Sequence, residues 1–309
     1  MERDSGTHPD GDHGRQPAGH LRAVPVAPVG LLSRRHRTIA GSEQRHPCGS
    51  HSGSRPPARP AGVIVSKVKV IFFDAAGTLF HVKGSVGEIY VSYAEKYGFK
   101  RTSESLAAVK EAFKRAFHEA PPPLFAVSDP SEIKRCERLW WFDIVHNVFY
   151  RVGMLERFDD YFEEVFHAFD GPERWRLYPE TMGILKELKE RGFELGIISN
   201  FDTRLFNVLR GLGIADLFDT VTISSLAHAA KPAPAIFRLA LEKHAVDPDE
   251  AAHVGDSLRD DVEGARQAGL SGILIAREPT KSTEVNPQIA PAPTIHSLEE
   301  LPQLVERIT

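Results

Sequence analysis

Five short apolar runs recur along residues 67–309, and amphipathic segments separate most of them. The runs are Val68–Phe73, Leu195–Ile198, Thr220–Ile223, Ala251–Val254 and Gly272–Ala276. Short continuous apolar runs are typical of strands that are buried on both faces of a parallel sheet. The segments with helical spacing are Thr181–Arg191, Thr203–Leu212, Ala233–His244 and Arg259–Ala268, with Gly192 and Gly269 at helix ends. This alternation predicts an α/β fold with a doubly wound parallel sheet.

One long insertion interrupts the alternation after the first run. Its helical stretches are Val86–Tyr97, Ser103–Ala120, Ser131–Val152 and Leu155–Phe169. We expect a helical cap domain over residues 84–176 and a core domain built from residues 65–83 and 177–309. The segment from Gly84 to Gly87 and the three prolines at 121–123 are predicted breaks or hinges.

The N-terminal segment differs in kind from the rest of the chain. Residues 1–62 carry nine Arg, no Lys, five acids and no aromatic residue. Such a segment buries too little apolar area to offset its chain entropy, so we expect residues 1–64 to be disordered. Our hypothesis for its origin is a gene-start error, with Val63 or Val65 as the true start. A basic interaction tail is the alternative, while an export signal is disfavoured because Arg34-Arg35 precedes no apolar segment.

Composition excludes several classes of protein. No apolar run of the 309 residues approaches the roughly 20 that cross a bilayer, and Cys48 and Cys136 cannot form a disulfide scaffold. The formal net charge is −4, with 38 basic against 42 acidic residues. We therefore expect neither a nucleic-acid nor a membrane partner and predict a cytoplasmic protein. The sequence leaves the oligomeric state open.

Polar residues follow several of the predicted strands. Asp74 follows the first run, Ser199-Asn200 the second, and Asp256 the fourth, while Lys231 precedes a helix that begins near two prolines. Ligands of doubly wound sheets bind outside the carboxyl ends of the strands. We therefore expect a carboxylate, a hydroxyl and amide pair, an ammonium group and a second carboxylate to meet at one sheet edge.

The order and spacing of these four motifs, with the cap inserted after the first, resemble the haloacid dehalogenase superfamily, subclass IA. The resemblance covers about residues 67–309 and implies a Mg²⁺-dependent hydrolase, most simply a phosphatase of a small phosphorylated metabolite. The site residues that it implies are the nucleophile Asp74, Lys231 beside it, the substrate-binding residues Ser199, Asn200 and Thr78, and the metal ligands Asp74, Asp256 and the carbonyl of Ala76.

Two further acids, Asp260 and Asp261, lie in the first turn of a predicted helix. Carboxylates there are stabilised by free N–H groups and the helix dipole, which is a sufficient explanation for one of them. By the resemblance, Asp261 matches the second acid of the fourth motif, with a metal-site role. Phosphoryl transfer to a carboxylate requires cations at the site, here Mg²⁺ and Lys231, because a carboxylate that approaches a phosphate dianion is repelled unless cations screen both.

The position two residues after the nucleophile departs from the resemblance. Phosphatases of the superfamily carry Asp there to protonate the leaving alcohol, and this chain has Ala76. General acid catalysis contributes about 10²- to 10⁴-fold, so we expect slow turnover of ordinary esters and better turnover of esters with acidic leaving groups. His81 and Glu88 are the candidate replacement acids, although an exposed histidine without a catalytic role is the usual case.

Three other functions are alternatives. The 2-haloacid dehalogenases lack the second Asp, but the acidic Gly255-Asp256-Ser257 motif argues against them. Phosphonatase-type hydrolysis needs a cap lysine, and Lys110 and Lys114 lie on an ordinary charged helix face. The last alternative is a catalytically weak protein that binds a phosphorylated ligand.

The cap is the expected source of substrate choice because it closes over the strand ends. Trp140, Trp141 and Phe142 are consecutive, so their side chains point about 100° apart on a helix. We expect packing roles for all three, split between the cap core and the domain interface, with a substrate platform as the alternative. Arg135 and Arg138 are expected to be solvated surface charges, with an anionic substrate as the alternative.

Overall fold

The structure is a computed structural model that describes residues 68–277 and 292–308. The predictions for residues 1–64 lie outside these ranges. A six-stranded sheet forms the centre of the described part, in the order β5-β4-β1-β6-β7-β8. The strands are β1 (Val70–Phe73), β4 (Glu194–Ser199), β5 (Thr220–Ile223), β6 (Ala251–Gly255), β7 (Ser271–Ile275) and β8 (Thr294–Ile295). Every neighbouring pair is parallel, which confirms the predicted fold class.

Helices cover both faces of this sheet. They are α5 (Thr181–Glu190), α6 (Leu205–Gly211), α7 (Ser224–Ala227), α8 (Pro234–His244), α9 (Gly264–Gln267) and α10 (Leu301–Val305). Ile71 and Phe73 pack on the face that α5, α6 and α10 cover, whereas Phe72 packs on the opposite face with Phe237 of α8. Alternate residues of β1 thus face two cores, which explains why the run is apolar throughout.

The last predicted core helix, Arg259–Ala268, differs from the expectation. Residues Leu258–Glu263 form a π-helix, and a regular α-helix follows only from Gly264. The wider turn places Asp261 inward, where the backbone N–H of Ser257 donates to Asp261 Oδ2 at 2.9 Å. π-Helical turns are rare and occur often at functional sites, so this distortion indicates that Leu258–Glu263 belongs to a functional site.

Two short antiparallel strands lie where the chain enters and leaves the insertion. They are β2 (Phe80–Val82) and β3 (Trp175–Leu177), with His81 opposite Arg176. Neither was predicted, because three-residue strands give no readable apolar period. Their pairing sets the two connections of the insertion side by side.

Four helices fill the insertion between these strands. They are α1 (Val86–Ala94), α2 (Ser103–Glu119), α3 (Pro130–Val152) and α4 (Phe158–Ala168). α1 begins with a capping box between Ser85 and Glu88, and α3 begins at Pro130 with Asp129 as its N-cap. Their buried side chains form a separate cluster, in which Tyr161 and Phe149 meet edge to face. Within residues 68–277 and 292–308, no helix is long and apolar enough to span a membrane.

Candidate active site

The carboxyl ends of β1, β4 and β6 place three predicted site residues together. Asp74 follows β1 and its backbone N–H donates to Val254 O of β6 at 2.9 Å. Ser199 is the last residue of β4, and its Oγ donates to Asp74 Oδ1 at 2.9 Å. Asp256 follows β6 and lines the same cavity as Asp74. The sheet edge predicted from the sequence is therefore the edge at which these groups meet.

Asp74 is a buried carboxylate in an environment that favours its neutral form. Burial, with the nearby charges of Asp261 and Asp256, raises the pKa of Asp74 to about 7, and Lys231 opposes this rise. Lys231 Nζ donates to Asp74 Oδ1 at 2.6 Å. The ammonium group of Lys231 therefore counteracts the effect of burial and favours the ionised form of Asp74, which is the nucleophilic one.

Lys231 lies between two carboxylates in the interior. It is 5% exposed, and its Nζ also donates to Asp261 Oδ1 at 2.6 Å. Burial by itself lowers the pKa of this ammonium group, but Asp261 and Asp74 outweigh burial and hold the pKa above its ordinary value. The group is thus a permanent cation directed at Asp74.

Asn200 fixes the backbone that carries Lys231. Its Nδ2 donates to Lys231 O at 2.9 Å, and its Oδ1 accepts from Lys231 N at 2.8 Å. Asn200 also lines the cavity. The Nδ2 group of Asn200 carries two hydrogens, and only one of them is used in the bond to Lys231 O. The other hydrogen is available for the predicted contact with phosphoryl oxygens.

Asp261 is held by three donors. Lys231 and His253 Nε2 donate to its Oδ1, the latter at 2.9 Å, and Ser257 N–H donates to its Oδ2. The pKa of Asp261 lies below its ordinary value because Lys231 and His253 outweigh the effect of burial. A Cβ atom at Gly255 would lie 2.1 Å from Asp261 Cγ, so this approach requires glycine there.

The three carboxylates can each offer an oxygen to one metal ion. Oxygens of Asp74, Asp256 and Asp261 lie within 4.8 Å of one another. Gly77, at φ +94°, makes room for this set, because a Cβ there would lie 2.6 Å from Asp256 Oδ2. Carboxylate oxygens are the donors that Mg²⁺ prefers, so the residues suit that ion. The three donors already on Asp261 favour a supporting role for it and direct ligation by Asp74 and Asp256.

Of the remaining predicted site residues, some line the cavity and one lies behind its lining. Ala76 lines the cavity and is half-buried beside Asp74. Thr78 is fully buried and does not line the cavity; its carbonyl accepts from Arg277 Nη2 at 2.5 Å. Asp260 lines the cavity, and its backbone N–H is capped by Ser257 Oγ at 3.1 Å. The structure thus places Ala76 and Asp260 at the site and leaves Thr78 behind it.

Neither candidate replacement acid reaches the cavity. His81 Nδ1 lies 2.9 Å from Val82 O, and its ring lies against Tyr178, at 4.9 Å between centroids. Glu88 accepts from Ser85 N–H and from Lys110 Nζ, the latter at 3.1 Å. Neither acid is among the residues that surround the cavity.

A cavity of about 720 Å³ lies between the acidic sheet edge and the cap. Trp140 and Trp141 line it, whereas Phe142 packs edge to face on Phe158 and Phe162 inside the cap. Phe142 thus points away from the two tryptophans, as expected, whereas Trp140 and Trp141 meet each other at 4.9 Å between ring centroids and both face the cavity. Lys114 lines the cavity as well, whereas Lys110 is paired with Glu88.

Side chains of α3 bind the loop after β4. Trp141 Nε1 donates to Asp202 Oδ2 at 2.6 Å, and Asp202 also pairs with Arg204. Buried Glu137 accepts from Thr203 N–H at 2.9 Å and from Thr203 Oγ1 at 2.5 Å. Sequence reasoning missed these contacts and His253. His253 could have been found as a histidine inside an otherwise apolar strand, and Glu137 as an acidic residue on the apolar side of a helix. Both patterns indicate a buried polar side chain that needs a partner.

Comparison with known proteins agrees with this geometry. The sequence profile of the haloacid dehalogenase-like hydrolases matches residues 68–269. The parallel six-stranded sheet, with Asp74, Lys231 and Asp256 at its edge, is the arrangement expected of a hydrolase of that class. The chain belongs to the haloacid dehalogenase-like hydrolase family.

Three relatives illustrate the range within that family. Haloacid dehalogenase-like hydrolase domain-containing protein 3 of Danio rerio is 32% identical over 244 residues, covering 78% of this chain and 98% of the relative. The structure of a HAD phosphatase from Thermococcus onnurineus is 26% identical, with a TM-score of 0.52 over 77% of this chain and 98% of its own. A 2-haloacid dehalogenase from Pseudomonas syringae pv. Tomato DC3000 is 25% identical, with a TM-score of 0.53 over 78% of this chain and all of its own.

Proposed function

We propose that this hydrolase is a Mg²⁺-dependent phosphatase of a small phosphorylated metabolite. The observation that carries the proposal is the arrangement of Asp74, which shares its Oδ1 with Lys231 and lies within reach of the same ion as Asp256. A phosphate dianion is stabilised where fixed cations face a carboxylate nucleophile. An uncharged electrophile would not need this set.

Asp74 supplies the nucleophilic oxygen in this mechanism. One of its oxygens attacks phosphorus, the ester bond breaks, and an aspartyl phosphate forms; water then attacks phosphorus, which releases phosphate and restores the carboxylate. Lys231 holds the negative charge that develops on the phosphoryl oxygens, while Ser199 Oγ orients Asp74 by its hydrogen bond. Covalent catalysis divides one difficult hydrolysis into two easier displacements.

Asp74 and Asp256 would hold the metal ion, with Asp261 fixing Lys231 beside them. When bound, Mg²⁺ supplies positive charge that reduces repulsion between the carboxylate and the phosphate. The contacts of Trp141 and Glu137 with the loop that follows β4 hold the cap over the site, and a cap in this position would limit the access of water to the first displacement.

Hydrolysis of a carbon–halogen bond is the second candidate. It is favoured by Ala76, because a departing halide requires no proton from the protein. The similarity to a solved 2-haloacid dehalogenase supports it as well. The three clustered carboxylates weigh against it, since a metal-independent attack on carbon gives them no role.

The test is hydrolysis of 4-nitrophenyl phosphate and acetyl phosphate by the wild type and by Asp74→Asn, each with and without Mg²⁺. We expect Mg²⁺-dependent release of phosphate by the wild type and none above background in Asp74→Asn. Asp143→Asn, at an exposed position on α3, is the matched control and should retain wild-type turnover. Metal-independent release of halide from 2-chloropropionate, with no phosphate release, would replace the phosphatase by the second candidate.

A further inference from the structure

Aromatic side chains make up much of the cap side of the cavity, beside aliphatic residues and the polar residues Lys114 and His118. Six side chains from the cap form what we call the aromatic wall: Tyr90, Phe113, Phe117, Trp140, Trp141 and Phe166. The rings of Phe113 and Phe117 are stacked at 5.8 Å between centroids, and those of Phe117 and Trp141 at 6.0 Å. Trp140 meets Trp141 edge to face at 4.9 Å. The wall therefore offers ring faces and edges to whatever enters.

The two indole N–H groups of this wall already have partners in the protein, and the hydroxyl of buried Tyr90 is its one other polar side-chain atom. Trp140 Nε1 donates to Pro121 O at 2.7 Å, and Trp141 Nε1 donates to Asp202 Oδ2. Arg204, which lies 4.3 Å above the ring of Phe166, is paired with Asp202 at 2.6 Å. A substrate group against the wall thus meets mainly carbon.

The cations that line the cavity fall into two sets. Lys231 is buried and Arg204 is half-buried, and both are paired with carboxylates. Lys114 and Arg259 are exposed, so they lie where the cavity opens to solvent. A carboxylate placed against the ring faces, away from Lys114 and His118 of α2, would lose its water without gaining an ion pair, which is unfavourable. The part of the substrate that contacts the rings is therefore apolar.

A second observation concerns the leaving group and is independent of the wall. Ala76 lines the cavity beside Asp74 and cannot donate a proton. An alcohol that leaves without a proton must be stable as an anion. Phenols, with a pKa of about 10, leave as anions far more readily than ordinary alcohols, whose pKa is close to the value of about 16 for water.

From these two observations we propose that the substrate is a phosphate monoester of a small, largely apolar aromatic alcohol of the phenol class. This assignment rests on the proposed phosphatase function. Asp74 forms a bond to phosphorus as the bond to the aryl oxygen breaks, and the electron pair leaves with that oxygen as a phenolate. Water then displaces Asp74 from phosphorus, and its proton neutralises the phenolate through solvent. The products are a phenol and inorganic phosphate.

The wall itself is tested with inert phosphonates, because a carbon–phosphorus bond removes the effect of the leaving group. In the presence of Mg²⁺, naphthylmethylphosphonate and methylphosphonate are compared as inhibitors of acetyl phosphate hydrolysis. We expect the inhibition constant of the naphthyl compound to be lower by about tenfold or more, which corresponds to about 1.4 kcal/mol. Equal constants would overturn the assignment.

Phe117→Ala provides the matched variant, because Phe117 lines the cavity yet is 46% exposed, so its removal does not empty a core. This substitution should reduce the ratio of the two inhibition constants by about fivefold, roughly the effect of losing part of one buried ring. Tyr150→Ala, at a 76% exposed residue of α3 outside the cavity, should leave the ratio unchanged.

Turnover completes the test. We expect kcat/KM for 1-naphthyl phosphate to exceed that for phosphoserine and glycerol 3-phosphate by at least about 100-fold, within the range that an absent general acid produces. Preference for phosphoserine over the naphthyl ester would overturn the aryl assignment alone. Failure to hydrolyse even acetyl phosphate would overturn the phosphatase function and, with it, this substrate class.

Discussion

The methyl group of Ala76 is the residue-scale feature that most constrains the chemistry. It lines the cavity next to the nucleophile that we propose, Asp74, and it replaces the acid that phosphatases of the family carry. His81 and Glu88 do not supply a substitute, because each is bonded outside the cavity. The site therefore has no acid at the position next to the nucleophile, which favours leaving groups that depart without a proton.

Restoring an acid should extend the substrate range. We predict that Ala76→Asp raises kcat/KM for alkyl phosphates such as glycerol 3-phosphate by about 10- to 100-fold, at the lower end of what general acid catalysis supplies. The gain should be absent for aryl esters, whose leaving groups need little assistance. Steady-state kinetics on both ester classes measure the difference.

Ala76→Asn is the matched control, since asparagine has nearly the size and polarity of aspartate but no carboxyl proton to transfer. A gain in Ala76→Asn equal to that in the aspartate variant would contradict the proton-transfer explanation. No gain in either variant would indicate that proton transfer does not limit turnover of alkyl esters.

The residues at the strand ends were readable from the sequence, and the residues that support them were not. Asp74, Ser199 and Asp256 each follow or end a visible apolar run, so topology alone brings them together. His253 supports Asp261 from within β6, and Asp202 accepts from Trp141, which lies 61 residues away along the chain. Such side-chain pairs leave no periodic trace in the sequence.

At the scale of elements, strands were easier to predict than the distortions near them. β5 and the first residue of α5 match the predictions, because uninterrupted apolar runs and helical spacing dominate there. The π-helix at Leu258–Glu263 follows the same apolar spacing as an α-helix, so only its polar contacts reveal it. The strands β2 and β3 are stabilised by pairing with each other although the whole insertion separates them along the chain. The local sequence of either strand gives no sign of this pairing.

The acids that follow β1 and β6, Asp74 and Asp256, are the proposed metal ligands. Their carboxylates repel one another when ionised, so an ion bound between them stabilises the folded chain by mass action. We predict that millimolar Mg²⁺ raises the Tm of the wild type, and that Asp256→Asn reduces this rise by at least half. Thermal unfolding followed by circular dichroism measures both.

Asp143→Asn is the control for this measurement, because the side chain is exposed on α3, far along the chain from the three clustered acids. Its Tm should respond to Mg²⁺ as the wild type does. An equal rise in Asp256→Asn would contradict the assignment of Asp256 as a ligand.

At the scale of the whole molecule, the cap helices and the core meet through buried polar contacts as well as aromatic packing. Glu137 of α3 is 3% exposed and accepts from both Thr203 N–H and Thr203 Oγ1. Burial, the largest effect, raises the pKa of Glu137 above its ordinary value of 4.5, although the Thr203 hydrogen bonds oppose the rise. This contact therefore makes stability depend on pH.

The sign of that dependence follows from linkage. A carboxyl group whose pKa is raised on folding binds its proton more tightly in the folded state, so its contribution is present below pH 4.5 and is lost as pH rises through the folded pKa. We predict that the free energy of unfolding of the wild type, relative to Glu137→Gln, falls across this window. Each unit of pKa difference corresponds to about 1.4 kcal/mol.

Urea unfolding of both proteins between pH 4 and pH 8 measures this difference. Glu132→Gln, at an exposed position on the same helix, provides the control and should show no such trend. A relative stability that rises with pH would show that the Thr203 hydrogen bonds outweigh burial.

The proposed mechanism requires that Asp74 becomes covalently phosphorylated during turnover. The most direct measurement is to mix the protein with acetyl phosphate and Mg²⁺, quench in acid within one turnover, and map the peptides by mass spectrometry. We expect one added phosphoryl group on the peptide that contains Asp74, and none in Asp74→Asn. Phosphate release with an unmodified Asp74, or with the phosphoryl group on another residue, would contradict it.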